Sequence, residues 1–155
     1  MKKRIDGMNM TEAWNAAGVQ CRNARSMGWW AQQQPGIAVG SVFTLWLESP
    51  NPLFFEQKGK NYEHLILKRP EALEDRGAVH RRKFESYWDN LTMLASKQVP
   101  VRIMAIKRKR DMYGNFLPGE DGNTLPLWLR DYRTQYDETT RDITLIAEDS
   151  VQGSS

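Results

Sequence analysis

IAVGSVFTLWL, residues 37–47, is the stretch on which the fold turns. It is dense in β-branched and aromatic residues, which suit a pleated surface. Period-two geometry sends Val42, Thr44 and Trp46 to one face and Phe43, Leu45 and Leu47 to the other. Both faces need cover, so this run is expected to be a central strand with material packed on each side.

Downstream, Ser49-Pro50-Asn51-Pro52 breaks the chain, and residues 53–58 and 62–68 read as a hairpin around Gly59-Lys60. Three consecutive antiparallel strands are the expectation. Arg69-Pro70 ends that run, and EALED (71–75) suits a first helical turn before Gly77. From Arg81 to Lys97 the apolar residues Phe84, Tyr87, Trp88, Leu91, Leu94 and Ala95 fall at steps of three and four. That is the stripe of an amphipathic helix, closed by Pro100. VRIMAI (101–106) is strand-like and leaves through Lys107-Arg108-Lys109-Arg110, and the turn formers of 111–124 make a surface loop or hairpin. Pro126 then predicts a short helix, PLWLRDYRTQY, and ITLIA (143–147) a last strand.

Upstream, Thr11 is a suitable N-cap for a short helix, TEAWNAAG, with Trp14 on its buried side and Gly18 as its stop. Residues 19–36 suggest irregular structure or a short strand, and residues 1–10 and 150–155 read as flexible. The fold expected is a single α+β domain over 1–155. It has a mainly antiparallel sheet of five or six strands, with one long amphipathic helix and short helices packed on it.

Composition bounds the classes. The chain has 155 residues, 40% hydrophobic and 26% charged, close to ordinary globular usage, so disorder and fibrous structure are disfavoured. One cysteine, Cys21, cannot form an internal disulfide, which points to a reducing, cytoplasmic setting. The basic start lacks an apolar core behind it, and no apolar run approaches the roughly 20 residues of a membrane helix. No signal peptide and no membrane contact are expected.

Charge is distributed unevenly. Residues 1–110 hold 19 Lys and Arg against 10 Asp and Glu, or +9, while residues 111–155 hold 3 against 9, or −6. A basic excess of that size is what phosphate binding uses, since each neutralised phosphate releases counterions. The plainer alternative is attraction between the two parts within one fold.

Four basic clusters stand out: Arg22 with Arg25, Lys58 with Lys60, His80-Arg81-Arg82-Lys83, and Lys107-Arg108-Lys109-Arg110. An antiparallel return from helix to strand would place the last two at one end, as a single patch. The alternative is a solvated charged rim. Trp29-Trp30 lies in a Gly- and Gln-rich segment off any periodic face, and an exposed indole can stack on a base. Trp14, Trp46, Trp88 and Trp128 all read as core.

Catalytic constellations are sparse. Glu56-Gln57-Lys58 has the Glu-x-Lys spacing with which metal-dependent nucleases hold Mg²⁺ and steady the attacking water, with Glu48 as the nearest second carboxylate. The same triplet is common as an exposed ion pair in a hairpin. His64 and His80 are the only histidines, so neither a nucleophile–base pair nor a four-ligand zinc site is suggested, and Cys21 reads as a small buried residue. Glycines are scattered singly, without a phosphate loop or dinucleotide fingerprint. No cofactor and no resident metal are expected.

The segment Asn23-x-Arg25-Ser26 followed by Trp29-Trp30 and then Gly40-x-Val42-Phe43-x-Leu45-Trp46 resembles a pattern found in small uncharacterised bacterial proteins. It covers about thirty residues and departs from the pattern at Met27-Gly28 and in having no acidic residue straight after Trp46. The resemblance implies a mobile-element or gene-cassette origin and brings no activity with it.

The leading expectation is a nucleic-acid-binding domain without catalysis. Phosphates would meet Arg22, Arg25, Arg81, Arg82, Lys83, Lys107, Arg108, Lys109 and Arg110, and a base would stack on Trp29 or Trp30. A metal-dependent nuclease at Glu48, Glu56 and Lys58 is one alternative. A protein-interaction module, a homodimer included, is another.

Overall fold

The computed structural model describes residues 2–22, 29–32, 41–47, 54–69, 77–115, 117 and 123–148. Its elements are Lys3–Arg4 (β1), Met10–Ala16 (α1), Trp30–Gln32 (β2), Ser41–Trp46 (β3), Phe54–Lys58 (β4), His64–Lys68 (β5), Gly77–Ser96 (α2), Val101–Arg108 (β6), Thr124–Tyr136 (β7) and Ile143–Ala147 (β8).

All eight strands join one sheet in the order β2-β3-β6-β7-β8-β5-β4, with β1 paired to β7 off that path. β3 and β6 run parallel and the other pairs are antiparallel. The expectation of five or six strands with one long helix and short helices on them is therefore corrected. Strand dominates, and the described residues contain two helices. The largest single change is PLWLRDYRTQY, which is not a short helix but most of the 13-residue strand β7. Pro126 is tolerated there because the β6–β7 register shifts beside it: Ala105 faces Trp128 and Ile106 faces Pro126, leaving Leu127 as the extra residue of a bulge. The three consecutive antiparallel strands are also absent, since the β4–β5 hairpin joins the sheet beside β8, away from β3.

β3 is buried along its whole length because each face of the sheet carries a helix. On one side Phe43, Leu45, Ile103 and Ala105 pack with Phe84, Tyr87, Trp88 and Leu91 of α2. On the other, Val42, Trp46, Met104 and Ile106 pack with Ala13 and Trp14 of α1. The Tyr87 hydroxyl donates to the Thr44 carbonyl at 2.6 Å, and burial pushes the phenol well above its ordinary pKa. Tyr87→Phe is expected to destabilise the fold by about 1–3 kcal/mol, the range for leaving a buried acceptor without its donor. A denaturant melt would read this as a lower midpoint at unchanged slope.

The cap of α1 is Asn9, not Thr11. Asn9 Oδ1 accepts from Glu12 N at 2.8 Å and Glu12 Oε1 accepts from Asn9 N at 3.1 Å, a reciprocal capping box. At the other end, Arg102 Nη1 donates to the Ala17 carbonyl at 2.9 Å while Nε and Nη2 hold the Asp131 carboxylate at 2.7 and 3.2 Å. One guanidinium thus ties α1 to β6 and β7. The leading arm, read as flexible, carries β1, and Ile5 is 1% exposed with its N–H donating to the Leu127 carbonyl. The expected helical turn at 71–75 and the tail at 150–155 lie outside the described residues. No helix among the described residues is long and apolar enough to cross a membrane.

Candidate nucleic-acid interface

β6 carries its basic run out of the sheet, and the pleat divides it. Lys107 follows Ile103 and Ala105 toward the α2 side, whereas Arg108 follows Met104 and Ile106 to the α1 side. There the Arg108 guanidinium lies over the Trp46 ring, 5.6 Å from its centroid. Arg108 and Thr124 face each other across β6 and β7, and both Arg108 Nε and Thr124 Oγ1 are buried without a hydrogen-bond partner.

Beyond the strand, the chain turns tightly at 111–115. Asp111 organises the turn: its carboxylate accepts from Tyr113 N at 2.8 Å and Asn115 N at 2.9 Å, and its carbonyl accepts from Gly114 N at 3.0 Å. Arg110 Nη1 closes the turn from outside by donating to the Gly114 carbonyl at 2.9 Å. Gly114 has φ +85, a left-handed conformation that side chains resist. The turn presents Met112 and Tyr113, 87% and 82% exposed, immediately after four cations.

α2 runs back along β6. The link that follows it is fixed where Thr134 Oγ1 donates to the Val99 carbonyl, and the middle of the helix where Tyr87 meets Thr44, which pairs with Met104. Twenty helical residues span about 30 Å, and eight strand residues about 26 Å. Arg81, Arg82 and Lys83 therefore lie toward the end of the sheet from which Lys107–Arg110 emerge. Arg81, Lys107 and Lys109 form no ion pair with another described residue.

The other expected residues fall elsewhere. Arg22 is exposed beyond the buried Cys21, and Arg25 lies outside the described residues. Trp29 is 8% exposed and belongs to the core. Trp30 stacks on Phe43 at 5.8 Å and 14°, and its indole N–H donates to Ser86 Oγ at 3.0 Å. Trp29 thus offers no open face for a base, while Trp30 is half-buried with one face on Phe43. Tyr113 does offer an open face, and its position in a tight turn three residues beyond Lys-Arg-Lys-Arg was the available signal. Glu56 and Lys58 are exposed on β4, the last strand of the sheet order, where the Glu56 carboxylate accepts from Lys68 Nζ at 2.9 Å. That hydrogen bond raises the pKa of Lys68. Glu48 lies outside the described residues, and no three His, Cys, Asp or Glu side chains among the described residues group to hold a metal.

A second feature was not expected. Between β1 and the turn at residues 59–63 is a notch of about 580 Å³, lined among others by Lys2, Arg4, Asn61, Trp128 and Arg130. The Lys2 ammonium lies 5.4 Å from the Trp128 ring centroid and 5.9 Å from that of Tyr62. Arg130, 5% exposed, donates from Nη1 to the Asn61 carbonyl at 2.7 Å. Arg4 binds the Asp6 carboxylate at 2.8 Å, which holds that carboxyl below its usual pKa and raises that of Arg4.

Compared with protein-family models, curated proteins and solved structures, the chain matches none.

Proposed function

We propose that the chain binds nucleic acid at the end of the sheet where β6 leaves, with Lys107 and Lys109 on phosphates and Tyr113 stacked on a base. The observation that carries this reading is Tyr113: an aromatic ring 82% exposed, on a turn fixed by five hydrogen bonds, three residues after a basic run. An exposed ring held by its own backbone loses little freedom when it stacks, and cations within a few residues supply the phosphate attraction. The buried, unpartnered Nε of Arg108 adds support, because a guanidinium held over Trp46 with one donor unmet gains an acceptor by turning to a phosphate. Single strands suit the arrangement better than duplexes, whose bases are stacked away from an exposed ring.

Labelled single- and double-stranded DNA and RNA, titrated at two salt concentrations, test the reading. Binding should weaken steeply with salt, and Lys107→Glu with Lys109→Glu should flatten the salt dependence by about two units of slope. Tyr113→Ala should weaken single-strand binding by about tenfold and leave the melting temperature unchanged, because the ring packs on little. Absence of binding to every probe at low salt rejects the reading.

A further inference from the structure

We infer that the notch between β1 and the 59–63 turn is a second site, for a nucleotide unit: a planar base with a phosphate attached. This rests on the nucleic-acid reading only for where the nucleotide comes from.

Charge fixes the sign of the ligand. Five ionisable side chains line the notch: the cations Lys2, Arg4 and Arg130 and the anions Asp6 and Glu63. Asp6 is held by Arg4 at 2.8 Å, and Glu63 stands 4.0 Å from Arg130. Lys2 makes no ion pair with another described residue, so the lining is left one positive charge in excess. A cationic ligand would enter beside three cations, and an anion is attracted.

The rings fix its shape. Lys2 reaches its position by laying its ammonium over two aromatic faces, Trp128 and Tyr62, themselves 5.5 Å apart between centroids. Trp128 is 8% exposed with Lys2 over it, so a base reaches the indole only by taking the place of that lysine, whose ammonium then swings to the phosphate. Asn61 stands at the rim with an amide able to pair with a base edge, and the volume lies within the range of small-ligand pockets.

The site also continues the proposed interface. Arg4 pairs with Trp128 and Lys107 with Leu125, three residues apart on β7, or about 10 Å, and Trp128 and Lys107 both face the α2 side. One strand of nucleic acid lying along β7 would meet both.

The test uses the full chain and follows the Trp128 indole N–H by NMR while adenosine monophosphate, adenosine, inorganic phosphate or a short oligonucleotide is added. The monophosphate should shift Trp128 and bind more tightly than adenosine or phosphate alone. Lys2→Ala and Arg4→Ala, both at accessible side chains, should each weaken it by about fivefold, and Tyr113→Ala should leave it unchanged. An unmoved Trp128 at about 10 mM monophosphate, or wild-type binding by both variants, overturns the site. If the monophosphate binds here and no oligonucleotide binds the chain, the notch stands as a free-nucleotide site and the strand reading fails. If oligonucleotides bind through Tyr113 while Trp128 stays silent, the strand reading stands and the notch falls.

Discussion

Trp14→Ala is expected to destabilise the fold by about 3–5 kcal/mol, the range for deleting a fully buried aromatic side chain. Trp14 is 2% exposed and is the largest side chain by which α1 reaches the sheet, in a cluster with Ile5, Val42, Trp46 and Met104. α1 has seven residues, far fewer than a helix needs to persist alone, so its capping box and the Arg102 clamp cannot hold it once that contact is gone. The melting temperature should fall on the order of 10 °C for a chain of this size. Amide exchange would locate the damage: protection in α1 and β1 should drop before that of α2 and β8. A loss below about 1 kcal/mol would mean that the α1 side contributes little to the core.

Arg130→Met should cost about 3 kcal/mol although it removes no apolar volume, because what it removes is the support of a strained turn. Asn61 and Tyr62 take φ of 60 and 57, the left-handed region that a side chain other than glycine enters at a cost. Two groups from β7 hold them there: Arg130 Nη1 on the Asn61 carbonyl and the Tyr132 hydroxyl on the Tyr62 carbonyl, each at 2.7 Å. Since both bonds secure one conformation, Arg130→Met and Tyr132→Phe together should cost less than the sum of the two alone. Denaturant melts of the two single variants and the double close that cycle, and strict additivity would mean that the bonds act separately.

Where local pattern decided the outcome, the sequence was readable. The stripe Phe84, Tyr87, Trp88, Leu91 and Ala95 is the buried face of α2, the alternation through 41–46 is β3, and Gly59-Lys60 lies at the head of the β4–β5 hairpin. β7 was misread because two residues disguise its alternation. Pro126 imitates a helix start, and Arg130 puts a charge in the buried series Trp128, Tyr132 and Thr134. Each is explained by a tertiary partner, the bulge opposite β6 and the carbonyl of Asn61, that no local pattern reveals. Asn9-x-x-Glu12 was a legible capping box that Thr11 obscured. The parallel pairing of β3 with β6 and the docking of the hairpin beside β8 join residues far apart in sequence, and no short-range preference encodes them.

The site divides the same way. The basic runs were visible as composition. The adjacent tryptophans drew attention by position alone, yet indoles bury so much apolar area that packing claims them unless geometry forbids it. The notch is assembled from residues 2–6, 61–63 and 127–130, and only the fold brings these together.

β1 and β8 have a topological consequence. Ala147 lies opposite Tyr132 and Lys3 opposite Leu129, so the two strands sit in line along one side of β7 and point the same way. They are two pieces of one interrupted strand, separated by about 10 Å of β7. β7 stands midway in the sheet order, so both described ends of the chain are threaded into the centre of the sheet and not along its rim. A peptide joining 148 to 2 would close the backbone into a ring with every strand pairing kept, and new ends could then be opened at the exposed 111–115 turn. Anything fused at residue 2 or 148 would pull on the middle of the sheet, where a lost pairing separates its halves.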